Sequence, residues 1–463
     1  MKYNPEQPLA ITYFDAIPAF LSGSDTPRDY LERCLETIAE KEPTVKAWVT
    51  LNEEGARQAA NEATQRYKAG KPLSAIDGMP LGIKDLIHTK DMPTKMGSPL
   101  YENNHTYTDS SVVQALRSAG AVVLGKTVTT EMGMSHPGPT TNPYDSSRTP
   151  GGSSSGSAAA VGAGMVPAAI GTQVIGSIIR PAGYCANYAL KPTYGAINRG
   201  ERQGYSQSHH GVHAGSLEDM WQVAIEVAMR AGGDPGHPGL FGTAINPRAE
   251  RPTRLIVMQG EAWSRVDPLA RTGFEKLVDA IRASGVQVLW GDDNPLIRAF
   301  EESVADCMAL CRDICGYELR WVLENLVERH PNDLSDSLTG RLELSRKMTV
   351  NDYRALLGQR DNMQRRHAAL AGLGDALISL SSLGPAPKMG DATGSDPGID
   401  HTTGSPIMNA PSSALWAPTV TQPLLAVNGM PVGIQLLGQL HTDERLVRLA
   451  AWLRDNVTPV SVH

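Results

Sequence analysis

One lysine and a set of serines in the first half of the chain have the types and surroundings that acyl transfer requires. Lys84 lies in the apolar segment PLGIKDLI, where burial disfavours an ammonium ion, lowers the lysine pKa and makes a neutral amine available as a base. Ser153 and its neighbours in GGSSSGS supply hydroxyl groups, and Ser177 follows Gly176 in a segment whose backbone amides could bind an anion. A serine activated by a lysine beside such an anion site suits acyl transfer.

The same residues also have a structural interpretation. Lys84 is followed by Asp85, and a buried lysine paired with a neighbouring carboxylate, among structural serines, would need no catalytic role. Residues 151–164 are rich in glycine and serine, which is the composition of a flexible linker. They run directly into a small-residue helix with Ser157 as its expected N-cap, so we expect a buried loop instead. Spacing alone leaves both interpretations of Lys84 open.

Alternating helices and short apolar strands are predicted around these residues, which is typical of an α/β protein. The segment GMPLGIKDL predicts a buried strand that carries Lys84. SSVVQALRSAGAVVLGKT predicts a helix that ends at Gly120 and then a second buried strand. Residues 120–127 also match the phosphate-loop pattern G-x-x-x-x-G-K-T. Their middle residues are strand formers, however, so nucleotide binding is disfavoured.

Composition and charge favour an enzyme that acts on a small molecule. The 463 residues are 41% hydrophobic and 20% charged, which is enough to build a large core. The net charge is −7 and no dense run of Lys or Arg is present, so neither a nucleic acid nor a membrane is expected as a partner. The N-terminus lacks the basic head and apolar run of a signal peptide, and a cytoplasmic location is expected.

Two later regions are expected to have different roles. Residues 251–372 are dominated by long helical patterns and predict a helix-rich insertion that is not the chemical centre. Within it, Cys307, Cys311 and Cys315 share one helix face, and no nearby histidine completes a tetrahedral metal set, so buried apolar roles are favoured. Residues 381–406 are rich in Gly, Pro and Asp and predict a loop near the site.

At these motifs the chain resembles the amidase signature family. The resemblance rests on GMPLGIKDL, TTNPYDSSRTPGGSSSGSAAAVGAGMVPAAIGT, GSIIRPAGYC and LKPTYG, and it recurs more weakly in GMPVGIQLLG near the C-terminus. It implies the fold of that family, a mixed central β-sheet sandwiched by helices, in a single domain over residues 1–463. It also implies an amidase, a hydrolase of linear carbon–nitrogen bonds, that needs no cofactor and no metal.

The resemblance further implies a Ser-Ser-Lys triad. The family's lysine maps to Lys84, its bridging serine to Ser153 and its nucleophile to Ser177. In that mechanism Lys84 takes a proton from Ser153, Ser153 takes one from Ser177, and Ser177 forms an acyl-enzyme that water hydrolyses. The oxyanion hole maps to the backbone N–H groups of Val174, Ile175, Gly176 and Ser177. Expected substrates are primary amides and anilides, with carbamates and esters accessible to the same triad.

The sequence around the nucleophile departs from the family pattern. QVIGS stands where the family usually has Asp, Thr or Ile, and Gly-Gly-Ser, so Gln173 replaces an Asp and Ile175 a Gly. A β-branched residue does not easily adopt a positive φ, and we therefore expect an extended or reshaped loop and a narrower acyl pocket at Ile175. Ser155 likewise stands where the family prefers glycine.

Other positions are expected to contact the substrate or to line the site. Met132 lies where the family tends to place a pocket wall. Arg180, three residues after Ser177, could anchor a substrate carboxylate or form a structural ion pair. Three histidines in QSHHGVHAG could line a specificity pocket or bind a metal, but no carboxylate lies at ligand spacing and ordinary strand or loop roles are favoured. They are His209, His210 and His213.

Two alternative functions stay open. The glutaminase subunit of a tRNA-dependent amidotransferase shares this signature and works with partner subunits. A catalytically weakened binding homologue is the second alternative, because Ile175 alters the oxyanion segment. The sequence favours an amidohydrolase of small-molecule amides, with a homodimer as the expected assembly, and it does not identify the natural substrate.

Overall fold

The computed structural model describes residues 2–200, 205–390 and 402–463. In these residues a mixed sheet of twelve strands lies among fourteen α-helices. The strands are β1 Trp48–Leu51, β2 Pro80–Lys84, β3 Val122–Thr127, β4 Ala168–Gln173, β5 Tyr188–Lys191, β6 His209–Ala214, β7 Arg254–Val257, β8 Gln287–Leu289, β9 Ala376–Leu380, β10 Thr419–Val427, β11 Met430–Leu437 and β12 Val460–Val462. The helices are α1 Ile17–Ser22, α2 Pro27–Val45, α3 Glu53–Lys68, α4 Ser111–Ser118, α5 Ser155–Gly162, α6 Ile179–Tyr184, α7 Leu217–Ala231, α8 Pro268–Ala283, α9 Pro295–Ser303, α10 Cys307–Arg329, α11 Asp336–Arg346, α12 Val350–Ala368, α13 Ala410–Ala414 and α14 Asp443–Asn456.

The strands form one sheet in the order β1-β3-β2-β4-β6-β5-β10-β11-β9-β7-β8, and β12 pairs with β10. β2 is parallel to both β3 and β4, so these three strands end at the same edge. Lys84 is the last residue of β2 and Gln173 the last residue of β4. β6 runs antiparallel to β4 and places His210 opposite Thr172. This edge of the sheet therefore gathers the residues that the sequence singles out.

Alternate residues of β3 show that helices cover both faces of the sheet. Val122 and Leu124 belong to an apolar cluster with residues of α2, α3 and α5. Val123 belongs to a second cluster, with residues of α4 and α7. Because successive side chains of a strand point to opposite faces, the sheet lies between two helical layers. The expected sandwich of a mixed sheet and helices is confirmed.

The two strands predicted around Lys84 are present. GMPLGIKDL contains β2, which is buried along its whole length, and residues 120–127 contain β3. Lys126 is a buried residue of β3, which explains why the phosphate-loop pattern does not form such a loop here. The region of residues 251–372 contributes β7 and β8 to the sheet in addition to five helices. Its three cysteines are buried on α10.

The glycine and serine segment begins α5 three residues earlier than expected. The helix starts at Ser155 with Ser154 in the N-cap position, so the prediction of Ser157 as the cap is wrong. The Ser157 hydroxyl lies 3.0 Å from the Ile170 carbonyl on β4 and so bonds to the sheet from within the helix. Ser155 donates a hydrogen bond to the Val128 carbonyl at 3.3 Å, which ties the start of α5 to the end of β3. Across the described ranges, no helix combines the length and apolar character needed to span a membrane.

Candidate active site

Lys84 is fully buried at the end of β2 and is surrounded by hydroxyl groups. Its Nζ lies 2.7 Å from Ser153 Oγ, 3.0 Å from Ser154 Oγ and 2.8 Å from Thr172 Oγ1. The Thr172 carbonyl oxygen is 3.3 Å away. Burial lowers the pKa of Lys84 well below its usual range. A neutral amine in hydrogen-bond contact with a serine hydroxyl can act as a base toward it.

Asp85 does not neutralise Lys84, although it is the next residue. Its Oδ1 lies 2.9 Å from Lys126 Nζ on the neighbouring strand, and both side chains are fully buried. Lys126 also donates to Thr94 Oγ1 at 2.7 Å. The structural interpretation left open by the sequence, a pair between Lys84 and Asp85, is therefore not what the chain forms.

Ser153 follows a cis peptide bond with Gly152. The carbonyl oxygen of Gly152 accepts a hydrogen bond of 2.5 Å from the Arg180 guanidinium. Arg180 also donates to the Gly404 carbonyl and to Thr403 Oγ1, the latter at 3.3 Å. Arg180 therefore joins the serine segment to the C-terminal part of the loop predicted near the site. Residues 391–401 of that predicted loop lie outside the described part of the chain.

Ser177 is half-buried and lines a small cavity together with the three residues before it. Among the described residues, neither its hydroxyl nor the backbone N–H groups of residues 174–177 donate a hydrogen bond to another protein group. Four consecutive unpaired N–H groups beside a cavity can hold a developing negative charge. Ser153 and Ser177 do not hydrogen-bond to each other within the described chain, and catalytic hydrogen bonds commonly tighten only when substrate binds.

The Gln173 side chain forms hydrogen bonds with backbone groups on both sides of Ser177. Its Oε1 accepts hydrogen bonds from the N–H groups of Ile178 at 2.8 Å and Ile179 at 3.1 Å, at the start of α6. Its Nε2 donates to the Ile175 carbonyl at 3.0 Å. The Gln173 amide thus accepts backbone hydrogen bonds without carrying the charge of the Asp that it replaces. Ile175 does not have a positive φ, the conformation that a β-branched residue adopts with difficulty.

The small cavity beside Ser177 has a volume of about 60 Å³ and contains two arginines. Arg180 and Arg341 are both buried, and the Nε of each has no hydrogen-bond partner among the described residues. Arg341 Nη2 lies 3.4 Å from Ser135 Oγ, and neither guanidinium forms an ion pair with a described carboxylate. Burial lowers the pKa of Arg180 to about 10, so it is still charged at neutral pH. Ile175 and Cys315 also line this cavity.

A larger cavity of about 390 Å³ meets the small one at Gly133, Met134 and Val174. Ser153 and Thr172 line it at the lysine end. Other lining residues are Leu86, Met96, Met132, His210, Glu318 and Val322. Met132 therefore lies at a cavity wall.

The three histidines of β6 have different surroundings. His209 Nε2 lies 3.3 Å from Lys191 Nζ, and His213 Nδ1 lies 3.5 Å from Asn187 Nδ2. His210 faces the larger cavity. Within residues 2–200, 205–390 and 402–463, no group of three His, Cys, Asp or Glu side chains is arranged to hold a metal ion.

Sequence reasoning missed the contribution of the helical region. Arg341 and Cys315 line the small cavity, and Glu318 and Val322 line the larger one, so a region that was not expected to be the chemical centre still contributes to the cavity walls. The signal was present in α11, where Arg341 shares the buried face with Leu338, Leu342 and Ser345 at helical spacing. A charged residue on the apolar face of a helix indicates a buried polar site.

Sequence comparisons relate the chain to known proteins. The sequence model of the family described as Amidase matches residues 29–447. The glutamyl-tRNA(Gln) amidotransferase A subunit of Chloroflexus aggregans is 40% identical over 233 residues, which cover 49% of this chain and 47% of that protein. The match thus spans about half the length of the first such relatives. The protein of the same name from Symbiobacterium thermophilum is 28% identical over 469 residues, 95% of each chain.

A solved structure described as "Crystal structure of amidase" has a similar fold. It superposes with a TM-score of 0.81 at 27% identity, covering 96% of this chain and 100% of the other. The similarity therefore extends over both cavities and over the helical region that lines them.

Proposed function

The chain belongs to the amidase family, and we propose that it is an amidohydrolase that cleaves a small amide through an acyl-enzyme intermediate. One observation carries the proposal. Lys84, fully buried and without a carboxylate partner among the described residues, lies 2.7 Å from Ser153 Oγ, which lines the larger of two adjoining cavities, and Ser177 lines the smaller one. Primary amides and anilides are the proposed substrates, and the same chemistry extends to carbamates and esters.

The hydrogen-bond directions around Lys84 support its role as a base. Ser154 Oγ donates to the Thr172 carbonyl at 3.1 Å and accepts from the Thr172 N–H at 3.2 Å, which leaves one lone pair to accept from Lys84. A neutral amine has two N–H donors and one lone pair. With the donors on Ser154 Oγ and Thr172 Oγ1, the lone pair is left for the hydroxyl proton of Ser153.

The proposed reaction begins when Lys84 accepts the proton of Ser153 and Ser153 accepts the proton of Ser177. Ser177 Oγ then forms a bond to the substrate carbonyl carbon, and the N–H groups of residues 174–177 stabilise the oxyanion. Collapse of the intermediate breaks the C–N bond while Ser153 returns a proton to the leaving nitrogen. Water, activated through the same residues, hydrolyses the acyl-enzyme and restores Ser177.

The lining of the small cavity favours a substrate whose acyl group carries an acid. Arg180 and Arg341 bring two guanidinium groups to a space that holds roughly four to six water-sized groups. A buried guanidinium without a carboxylate partner is costly unless a bound anion compensates it. We therefore propose that Arg180, with Arg341, binds a carboxylate carried on a short acyl chain. Monoamides of short dicarboxylic acids have this chemistry.

A glutaminase subunit of a tRNA-dependent amidotransferase is the second candidate. The near full-length similarity to the relative from Symbiobacterium thermophilum favours it. It would release ammonia from glutamine, whose carboxylate also fits the arginine cavity, and would depend on partner subunits. Glutaminase activity that rises on addition of the partner subunits would support this candidate over a self-sufficient amidase.

Labelling with a fluorophosphonate probe tests the proposed nucleophile. The wild type should be labelled, Ser177→Ala should not, and Ser155→Ala should be labelled as the wild type is, since Ser155 bonds only to the Val128 carbonyl. A hydrolysis screen of amides, anilides, carbamates and esters with and without an acyl carboxylate then identifies the reaction. A folded wild type that is neither labelled nor active would refute the proposal and favour a binding homologue.

A further inference from the structure

The two cavities divide the space around the serines unequally. Ser177 lines the cavity of about 60 Å³, and Ser153 lines the cavity of about 390 Å³. Only the larger volume lies within the range of pockets that enclose small organic ligands. The two cavities share Gly133, Met134 and Val174, so one substrate could extend across the boundary between them.

The direction of proton transfer decides which part of the substrate enters each cavity. In the proposed reaction Ser153 protonates the leaving nitrogen, so the leaving group must lie against Ser153. The larger cavity is the one that Ser153 lines. The acyl group then occupies the small cavity with the two arginines, and the amine occupies the larger one. This step rests on the proposed function.

His210 offers the leaving group a hydrogen bond. It lies opposite Thr172 in the β4–β6 pair, so the two side chains share a face of the sheet next to Lys84. The His210 side chain is only 8% exposed, and its Nδ1 has no hydrogen-bond partner in the described chain. By contrast, the Glu318 carboxylate in the same cavity already accepts from Tyr353 Oη at 2.8 Å and from the Ser206 N–H at 2.9 Å.

His210 is held in its neutral form. Burial, followed by the positive charge of nearby Arg199, lowers the pKa of His210 well below its ordinary value. A neutral imidazole has one N–H donor and one acceptor nitrogen. It therefore suits an uncharged polar group and offers no ionic attraction to a charged one.

We propose that the larger cavity binds the leaving amine, that this amine is an uncharged ring-sized group bearing a hydroxyl, carbonyl or ring nitrogen, and that His210 hydrogen-bonds to that polar group. His210 is then a specificity-determining residue for the leaving group. Leu86, Met96 and Met132, the apolar side chains of the same cavity wall, then pack against the apolar part of the amine.

A series of amides with one common acyl group tests this assignment. The leaving groups are ammonia, aniline and the three isomeric hydroxyanilines. The wild type should have a kcat/KM for at least one hydroxyanilide that is roughly tenfold or more above that for the anilide, because an unpaired buried polar group on the enzyme is costly. His210→Leu should remove this preference mainly through KM, lowering kcat/KM for the favoured hydroxyanilide by roughly tenfold more than for the primary amide and the anilide.

His210→Gln supplies a second variant, because an amide side chain keeps one donor and one acceptor, and it should retain part of the preference. His330→Leu, the same change at a histidine with a 40% exposed side chain at the end of α10, should behave as the wild type does. Thermal unfolding of each variant shows that it is folded.

The outcomes separate the two proposals. If the wild type hydrolyses primary amides but does not favour any hydroxyanilide, the assignment of His210 is overturned and the proposed function stands. If His210→Leu slows all the amides equally, His210 positions the catalytic residues and does not recognise the leaving group. If Ser177 is not labelled and none of the amides is hydrolysed, both proposals are overturned.

Discussion

Replacement of Lys84 by methionine separates the basicity of this residue from its volume. Methionine fills a similar apolar space at the end of β2 but cannot accept a proton. We expect Lys84→Met to lower kcat/KM for an amide substrate by roughly 10²- to 10⁴-fold, the usual contribution of a proton-transfer group. Turnover of the folded variant within a few-fold of the wild type would contradict the proposed relay.

The same variant tests the protonation state of Lys84 through stability. Burial lowers the pKa of Lys84 well below its ordinary value. Between the lowered and the ordinary pKa, the unfolded chain binds a proton that the folded chain does not. The free energy of unfolding of the wild type should therefore rise with pH, relative to Lys84→Met, by about 1.4 kcal/mol per pH unit in this range.

Urea unfolding of both proteins at about pH 8.5 and about pH 9.5 gives the free energy of unfolding of the wild type minus that of Lys84→Met. This difference should increase by about 1.4 kcal/mol from the lower to the higher pH. Groups that titrate in both proteins contribute equally to the two free energies, so their contributions cancel in the difference. Lys191, whose pKa is lowered to about 7 by burial, is one of these groups. A difference that stays constant over the interval would mean that Lys84 carries its proton in the folded chain. An ammonium cannot accept the proton of Ser153, and the proposed mechanism would then be wrong.

Three further substitutions test the surroundings of the site. Arg341→Leu should raise KM for monoamides of dicarboxylic acids by roughly tenfold or more, because it removes a hydrogen bond to a charged group. KM for amides with a neutral acyl group should not change to the same extent. An equal change for both kinds of substrate would contradict carboxylate binding. Gln173→Leu leaves two buried N–H groups at the start of α6 unpaired, at about 1–3 kcal/mol each, so both the melting temperature and kcat should fall. Asp85→Asn breaks a buried ion pair and should lower the free energy of unfolding by about 3–5 kcal/mol in urea titrations; an unchanged value would mean that Lys126 is not charged.

The sequence predicted the elements around the candidate site where a local pattern determines the structure. An apolar run between turn residues was sufficient to predict the buried strand of Lys84, and small residues after GGSSS were sufficient to predict a buried helix. The N-cap was wrong because it depended on a distant group: the hydroxyl of Ser157 bonds to β4 and not to the first turn of its own helix. Ser155, which the sequence left unexplained, likewise bonds to a distant segment, because its hydroxyl donates to the Val128 carbonyl.

Contacts between distant segments could not be read from the sequence. Strand alternation in HHGVH indicates that His210 points away from His209 and His213. Only the order of strands in the sheet shows that the face of β6 carrying His210 lines the larger cavity. Arg341 is 164 residues from Ser177 (341 − 177) and reaches the same cavity only through the packing of α11. Amphipathic spacing predicts such a helix, whereas its position over the sheet depends on tertiary packing.

Lys84 and Lys126 are two buried amines on adjacent parallel strands, and a single carboxylate distinguishes them. Asp85 contacts Lys126 and not Lys84 because consecutive residues of an extended chain point in opposite directions. An insertion of one residue between Lys84 and Asp85 would put the two side chains on the same face. It would bring the acid to the base and protonate the proposed proton acceptor, although each catalytic side chain would still be encoded. The length of this strand is therefore as essential to the chemistry as the identity of the lysine.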